Sequence, residues 1–289
     1  RPNHIKYNDM IIDFHTHIFP PDINKNRDNY LGLDPSFDML YANPKAKIAS
    51  AEDIIESMDR DGIDISVVIN IGWISTELCH RTNDYIMESI SRYPKRLIGF
   101  CAVQPLLADE AVAEIERCVR GGVRGIGELR SDTQGFDLGD KNVMEPIVQT
   151  AKEHNLIILS HSSEPVGHTY PGKGAITPDV LYRFVTSFPD LPLVLAHWGG
   201  GLPFYALMPE VKKSLSSVYF DTAASPFLYG DSIFKHVIEI LGAGNILFGS
   251  DYPLIKQDRI VNSINALDLP EEARRLILGG NAQKILFPD

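Results

Sequence analysis

Cysteine is scarce in this chain: three in 289 residues, Cys79, Cys101 and Cys118, with no C-x-x-C pair among them. That spacing excludes a disulfide framework and a zinc-finger arrangement, which leaves three packed, reduced thiols. Basic charge is also short, with 27 Lys and Arg against 38 Asp and Glu, a formal net charge of −11 and no basic run to offset it. Such a balance argues against a nucleic-acid backbone or an anionic membrane as partner. No apolar run approaches the ~18 residues needed to cross a bilayer, and the amino end, RPNHIKYND, carries no signal segment. The expectation is a cytoplasmic protein whose partner is a small molecule. Linkers and low-complexity tracts are missing as well. Residues 10–289 therefore read as one domain, and residues 1–9 as an extension, native or left from cloning.

What the chain does have is alternation. Eight β-rich apolar runs recur: MIIDFHTHIF (10–19), ISVVINIGW (65–73), LIGFCAVQP (97–105), VRGIGELRS (123–131), LIILSHSSEP (156–165), LPLVLAHWGG (191–200), VYFDTAASP (218–226) and ILFGSDYP (246–253). Each begins apolar and ends polar or glycine-rich, as a buried parallel strand does on leaving a sheet. Between them lie segments of helical spacing. SAEDIIESMDRDGID (50–64) opens on Ser50 with Asp53 three residues on and puts Ile54, Ile55 and Met58 on one face. DEAVAEIERCVRGG (109–122) carries Val112, Ile115 and Val119 and stops at a Gly pair. Strand then helix, eight times over, is the pattern of an α/β chain folded as a (β/α)₈ TIM barrel. A doubly wound sheet would be expected to show a glycine-rich phosphate loop after an early strand, and here the first run ends in His-Thr-His. The longest connection, residues 18–49, would lie over the mouth as a lid.

The chemistry gathers at the ends of these runs. Side chains alternate along a strand, so Asp13, His15 and His17 are expected on one face and Ile12, Phe14 and Thr16 on the other. With the apolar set toward the helices, both imidazoles would face the barrel axis. The fifth run ends with His161, the sixth with His197 and the eighth with Asp251, and in a barrel all strand ends open on one mouth. Singly, each has a plainer explanation: a lone H-x-H is often surface, and Asp251 could merely cap a turn. Four of nine histidines falling at such ends is a coincidence that favours a joint metal site. Imidazoles and one carboxylate suit zinc or a similar divalent ion, which would lower the pKa of a bound water toward ~7. His4, His80, His154 and His236 read as unrelated to it.

In that order, DFHTHIFP, the LSHSSEP histidine, AHWGGG and FGSDYP resemble the amidohydrolase superfamily, in particular its amidohydrolase-related branch, which includes amino-carboxymuconate-semialdehyde decarboxylase. The resemblance runs over essentially the whole chain from Met10. It implies a metal-dependent hydrolase type of barrel in which His15, His17, His161 and Asp251 hold the metal. His197 would polarise the substrate or handle a proton, and Asp251 would also accept a proton from metal-bound water, making these two the catalytic pair. Dimers are common among such proteins, so a homodimer is an expectation.

The fourth run lacks the lysine that two-metal members carry; no lysine lies between Lys95 and Lys141. Glu128 could bridge metals instead, or form an internal ion pair with Arg130. One divalent ion is the expected state, zinc first, with manganese, cobalt or iron compatible and a second metal open through Glu128 and His197. For substrate binding the candidates are Arg130 as a carboxylate clamp, Glu164 in H-S-S-E, and Trp73 and Trp198 as pocket walls, each with packing or pairing as its plainer role. The loop 164–174, with His168, Tyr170 and Lys173, would act as a flap.

The leading functional expectation is hydrolysis, a metal-activated water attacking an amide, lactone or related carbonyl. The alternative is non-oxidative decarboxylation of a small carboxylated aromatic or muconate-like acid. A deaminase, suggested by the Glu164 spacing, and a catalytically silent metal-binding barrel stand behind these two.

Overall fold

The computed structural model describes residues 10–288, so the expectation for residues 1–9 lies outside the described residues. Eight strands form: β1 (Ile12–His17), β2 (Ile65–Ile69), β3 (Leu97–Cys101), β4 (Gly125–Leu129), β5 (Ile157–Ser160), β6 (Leu193–Leu195), β7 (Val218–Asp221) and β8 (Ile246–Leu247). All pair in parallel, each with its neighbour in sequence. The segment after β8 returns to β1 through Phe14 N to Phe248 O at 2.8 Å, His17 N to Tyr252 O at 2.7 Å and Asp251 N to His15 O at 2.9 Å. This is the (β/α)₈ barrel. The strands are shorter than the apolar runs, because the polar end of each run leaves the ladder to build the mouth.

The helices follow from local chemistry. Ala51–Asp61 starts on a complete capping box, in which Ser50 Oγ accepts from Asp53 N and Asp53 Oδ2 accepts from Ser50 N. It stops where Gly62 takes the left-handed conformation at φ +72°. Thr76–Arg92, Ala108–Arg120, Lys141–Glu153, Pro178–Ser187, Ser232–Leu241 and Gln257–Ala266 complete the main outer layer. Among the described residues no helix is long and apolar enough to cross a membrane.

Two apolar layers result. Outward-facing Val68, Ile126, Leu195 and Phe220 pack under the helices. Inside the barrel, Ile12, Phe14, Val67, Phe100, Leu159 and Leu247 form the second layer, with Phe14 edge-on to Phe100 at 5.8 Å. Full burial of each such side chain is worth about 1.5–3 kcal/mol. Ala282 and Leu286 of the last helix join this inner cluster, and Arg124 Nη1 holds the Leu286 carbonyl at 3.0 Å.

Here the simple alternation expected for the first strand fails. β1 pairs Ile12 with Ile65 and Asp13 with Ser66, then Thr16 with Val68 and His17 with Ile69, so Phe14 and His15 both stand against Val67. This is a β-bulge, two residues facing one, and it shifts the phase of every side chain beyond it. Ile12 and Phe14 therefore face the interior, and Asp13 does not share a face with the histidines. Its carboxylate turns outward, accepting from Ser250 Oγ at 2.6 Å and Gln257 Nε2 at 2.9 Å. A second bulge lies in β4, where Gly127 and Glu128 both stand against Leu159. Gly127 has φ +146°, and a Cβ there would collide with the Leu159 carbonyl, so only glycine fits.

The connection 18–49 is a wall of short helices, Pro21–Lys25 and Pro35–Tyr41. Asp34 caps the second through Ser36 N and Phe37 N and ties it to the exit of β2 through Ile74 N at 2.8 Å.

Candidate active site

At the carboxyl ends of the strands a cavity of about 380 Å³ opens, lined by His17, Glu128, Arg130, His161, His197 and Asp251 on its polar side. Residues from the wall, among them Leu40, Tyr41 and Lys47, and from the flap, Tyr170 and Gly172, close over it. The apolar remainder includes Ala224, Phe227, Leu228 and Leu254.

The bulge in β1 brings His15 and His17 to one point, with their Nε2 atoms 3.1 Å apart. Asp251 Oδ1 lies 3.3 Å from His17 Nε2 and 3.8 Å from His15 Nε2. Three donor atoms held this close suit a divalent ion, since bonds of ~2.1 Å in tetrahedral geometry put ligand atoms about 3.4 Å apart. Among the described residues there are two such donor groups, His15 with His17 and Asp251, and His15 with Glu128 and His197. They share His15, whose other nitrogen is bonded to Asp221 at 2.8 Å. One free nitrogen serves one ion, so both groups mark one position.

Glu128 stands across this position, brought inward by the second bulge. Its Oε1 is 2.8 Å from His161 Nδ1 and 3.6 Å from His197 Nε2, and its Oε2 is 3.9 Å from His17 Nε2. His161 stands outside both donor groups, between Glu128 and Ser163 Oγ at 3.2 Å. His197 has a left-handed backbone, φ +53°. Its Nδ1 is 3.1 Å from the Ala223 carbonyl, which can only accept, so Nδ1 keeps a proton and Nε2, facing the cavity, is the nitrogen that can gain or lose one.

Burial and charge act against each other here. Burial disfavours the ionised Asp251, yet the hydrogen bond with His17 and the imidazoles of His15 and His197 outweigh it and hold the carboxyl at about 2. Glu128 falls well below the usual range, because His161 and its neighbours overcome the same desolvation. For His15, burial works against the imidazolium but the Asp221 carboxylate prevails, raising it to about 10. His161 moves down, through burial and then Arg130, while His197 moves up as Glu128 overcomes burial.

Several sequence expectations are corrected. Arg130 does not pair with Glu128. It is 2% exposed, and its Nη2 donates to the Gly172 carbonyl of the flap and touches Met39 Sδ. Its Nε lies 3.6 Å from Asp132 Oδ1 yet makes no hydrogen bond. Trp73 does not line the cavity. It is fully buried, stacked on Phe37 at 5.6 Å, with Nε1 donating to Asn70 Oδ1 at 2.6 Å. Trp198 is likewise packing, edge-on to Phe234 and donating to Ser225 Oγ at 2.7 Å. Each packs at its strand end against one helix, Trp73 on Phe37 of Pro35–Tyr41 and Trp198 on Phe234 of Ser232–Leu241. Glu164 opens the flap, where its Oε2 accepts from Tyr170 OH at 2.6 Å, and it does not line the cavity. Sequence reasoning overlooked Tyr41, Lys47 and Asp221. The last carries the same signal as Asp251, a carboxylate closing an apolar run.

The amidohydrolase family model matches residues 12–287. Among curated proteins, 6-methylsalicylic acid decarboxylase of Penicillium expansum is 26% identical over 96% of this chain and 96% of its own. The 2-amino-3-carboxymuconate-6-semialdehyde decarboxylase of Dictyostelium discoideum is 23% identical over 96% and 92%. Among solved structures, a 5-carboxyvanillate decarboxylase from Novosphingobium aromaticivorans, complexed with manganese and 4-hydroxy-3-methoxy-5-nitrobenzoic acid, superposes with a TM-score of 0.77. It is 20% identical and 96% of each chain is covered, a likeness that establishes the fold.

Proposed function

The chain belongs to the amidohydrolase family, and from that membership we propose that it is a metal-dependent, non-oxidative decarboxylase of a small carboxylated aromatic acid. Hydrolysis, the first expectation from the sequence, gives way, because the similar curated proteins are named as decarboxylases. The observation that carries the reading is the cluster of His15, His17 and Asp251 donors at the floor of a largely apolar cavity of about 380 Å³.

His15, His17 and Asp251 would hold the ion, with Glu128 across from them and His161, the further donor that the motif order supplies, one hydrogen bond away through Glu128. Manganese is the first choice, as in the similar solved structure, with zinc second for a mixed nitrogen and oxygen donor set. When bound, such an ion supplies Lewis acidity, orienting the acid by its carboxylate oxygens. The ring would lie against Leu40, Phe227 and Leu228. Arg130, with a buried Nε that has no hydrogen-bond partner, would take an oxygen anion of the substrate. In its imidazolium form, which Glu128 favours, His197 would deliver its Nε2 proton to the ring carbon and be left neutral, with the remaining proton on Nδ1 against the Ala223 carbonyl. The bond from that carbon to the carboxylate then breaks, its electron pair returns to the ring, and carbon dioxide leaves. Closure of the cavity by Tyr41 and the flap excludes water from the carbon being protonated.

The test is a panel of hydroxybenzoic and related acids, turned over with manganese in deuterium oxide. Carbon dioxide release, with one deuteron on the product carbon, supports the reading. A reaction that instead places solvent oxygen in the product, with no carbon dioxide, overturns it.

A further inference from the structure

β7 ends in a carboxylate that none of the site chemistry above uses. Asp221 is fully buried, and its two oxygens divide their bonds between two site histidines. Oδ2 is 2.8 Å from His15 Nδ1. Oδ1 accepts from His197 N at 2.9 Å and from Ala223 N at 3.0 Å. The segment after β8 leaves room for this contact. A Cβ on Gly249 would come within 3.0 Å of the His15 Cβ and 3.3 Å of the Asp221 Cβ.

We propose that Asp221 is the positioning residue of this centre: one carboxylate sets the proton position of His15 and anchors the backbone of His197. The inference rests on the reading of His15 as a metal ligand. A carboxylate only accepts, so His15 keeps a proton at Nδ1, and Nε2 is the nitrogen that gives up its proton and offers its lone pair to the ion. The bond from His197 N holds a residue whose φ of +53° non-glycine residues rarely adopt. Ala223 N, bonded to the same oxygen, fixes the stretch whose carbonyl orients His197 Nδ1. Ligand and proton carrier are thereby located by the same group.

Asp221→Asn separates this role from a merely structural one. The amide oxygen must keep facing the two backbone N–H groups, because an NH₂ there would meet donors. The amide NH₂ then faces His15 Nδ1 and donates to it, so a neutral His15 carries its proton on Nε2, the atom the ion needs. The fold keeps its backbone bonds while the ligand is in the wrong tautomer, the logic by which Asp→Asn disables a catalytic triad.

Manganese and zinc affinities should each fall roughly 10- to 100-fold, the usual effect of losing such a partner, with an unchanged near-ultraviolet circular dichroism spectrum. In metal-free protein, ¹⁵N spectra should give a protonated Nδ1 at His15 in the wild type and an unprotonated one in the variant. Wild-type metal affinity in Asp221→Asn overturns the proposal. So does an unprotonated Nδ1 in the wild type, a measurement that needs no variant. His15→Asn serves as the control on the ligand reading. If it leaves binding intact, the centre is misassigned. If it abolishes binding while Asp221→Asn does not, only the role of Asp221 fails.

Discussion

Replacing Arg130 with Met would remove a guanidinium and keep an apolar stem of similar length in a site that is 2% exposed. The losses inside the protein are modest. Asp132 keeps its bonds from Thr133 N and Ala175 N, both at 3.0 Å, so no carboxylate is orphaned. Only the Gly172 carbonyl and the Met39 sulfur lose a donor. The larger loss falls on the substrate, because a charge-assisted hydrogen bond to a carboxylate or phenolate is worth about 1.5–3 kcal/mol. That corresponds to a KM roughly 10- to 150-fold higher, with kcat changed much less, since the interaction is present in ground and transition states alike. Steady-state decarboxylation with and without the substitution measures this, and limited proteolysis of residues 164–174 measures the flap separately. A KM within about twofold of wild type, together with faster cleavage of the flap, would refute the anion-binding role and reduce Arg130 to a tether.

Trp73→Phe should cost about 1–3 kcal/mol through the lost Asn70 bond and the smaller ring, lowering Tm by several degrees while KM stays put. A large KM change at unchanged stability would return Trp73 to the substrate pocket. Far from the site, Glu114 accepts from Asn83 Nδ2 at 2.8 Å and from Arg117 Nη2 at 2.7 Å. Burial raises its pKa, but these donors outweigh it and hold the carboxyl below its ordinary 4.5. A depressed carboxyl contributes stability above its unfolded pKa and loses it as pH falls through the folded one. The urea midpoint of the wild type should therefore exceed that of Glu114→Gln near neutrality, and the gap should narrow below about pH 4.5. A gap that is constant or widens on acidification contradicts this.

Much of the fold was legible because a barrel strand is a short apolar run with a polar end, and eight such runs are hard to arrange otherwise. His15, His17, His197 and Asp251 were legible for the same reason, each closing a run. Three kinds of feature were not. Phase was lost wherever a strand bulges: alternation put Asp13 with the histidines, whereas the structure bonds it to Ser250 and Gln257. Partner choice was lost wherever several groups compete at close range. Arg130 and Glu128 both line the cavity, yet His161 takes Glu128 and the flap takes Arg130. Aromatic residues at strand ends were the third difficulty. Trp73 and Trp198 differ from pocket walls only through Asn70, Phe37, Ser225 and Phe234, which their own positions in sequence do not reveal.

The extra residue in β1 also bears on anyone who would move this centre to another protein. Copying His-Thr-His onto a regular strand whose interior residues match Ile12 and Phe14 would aim both imidazoles at the surrounding helices. The half-step supplied by Phe14 and His15 facing one partner residue has to travel with the side chains. Deleting one residue just before the motif would have the opposite fault, restoring strict alternation while sacrificing an interior ring. The portable unit is therefore a stretch of irregular backbone, and the three letters that mark it in the sequence are only its visible part.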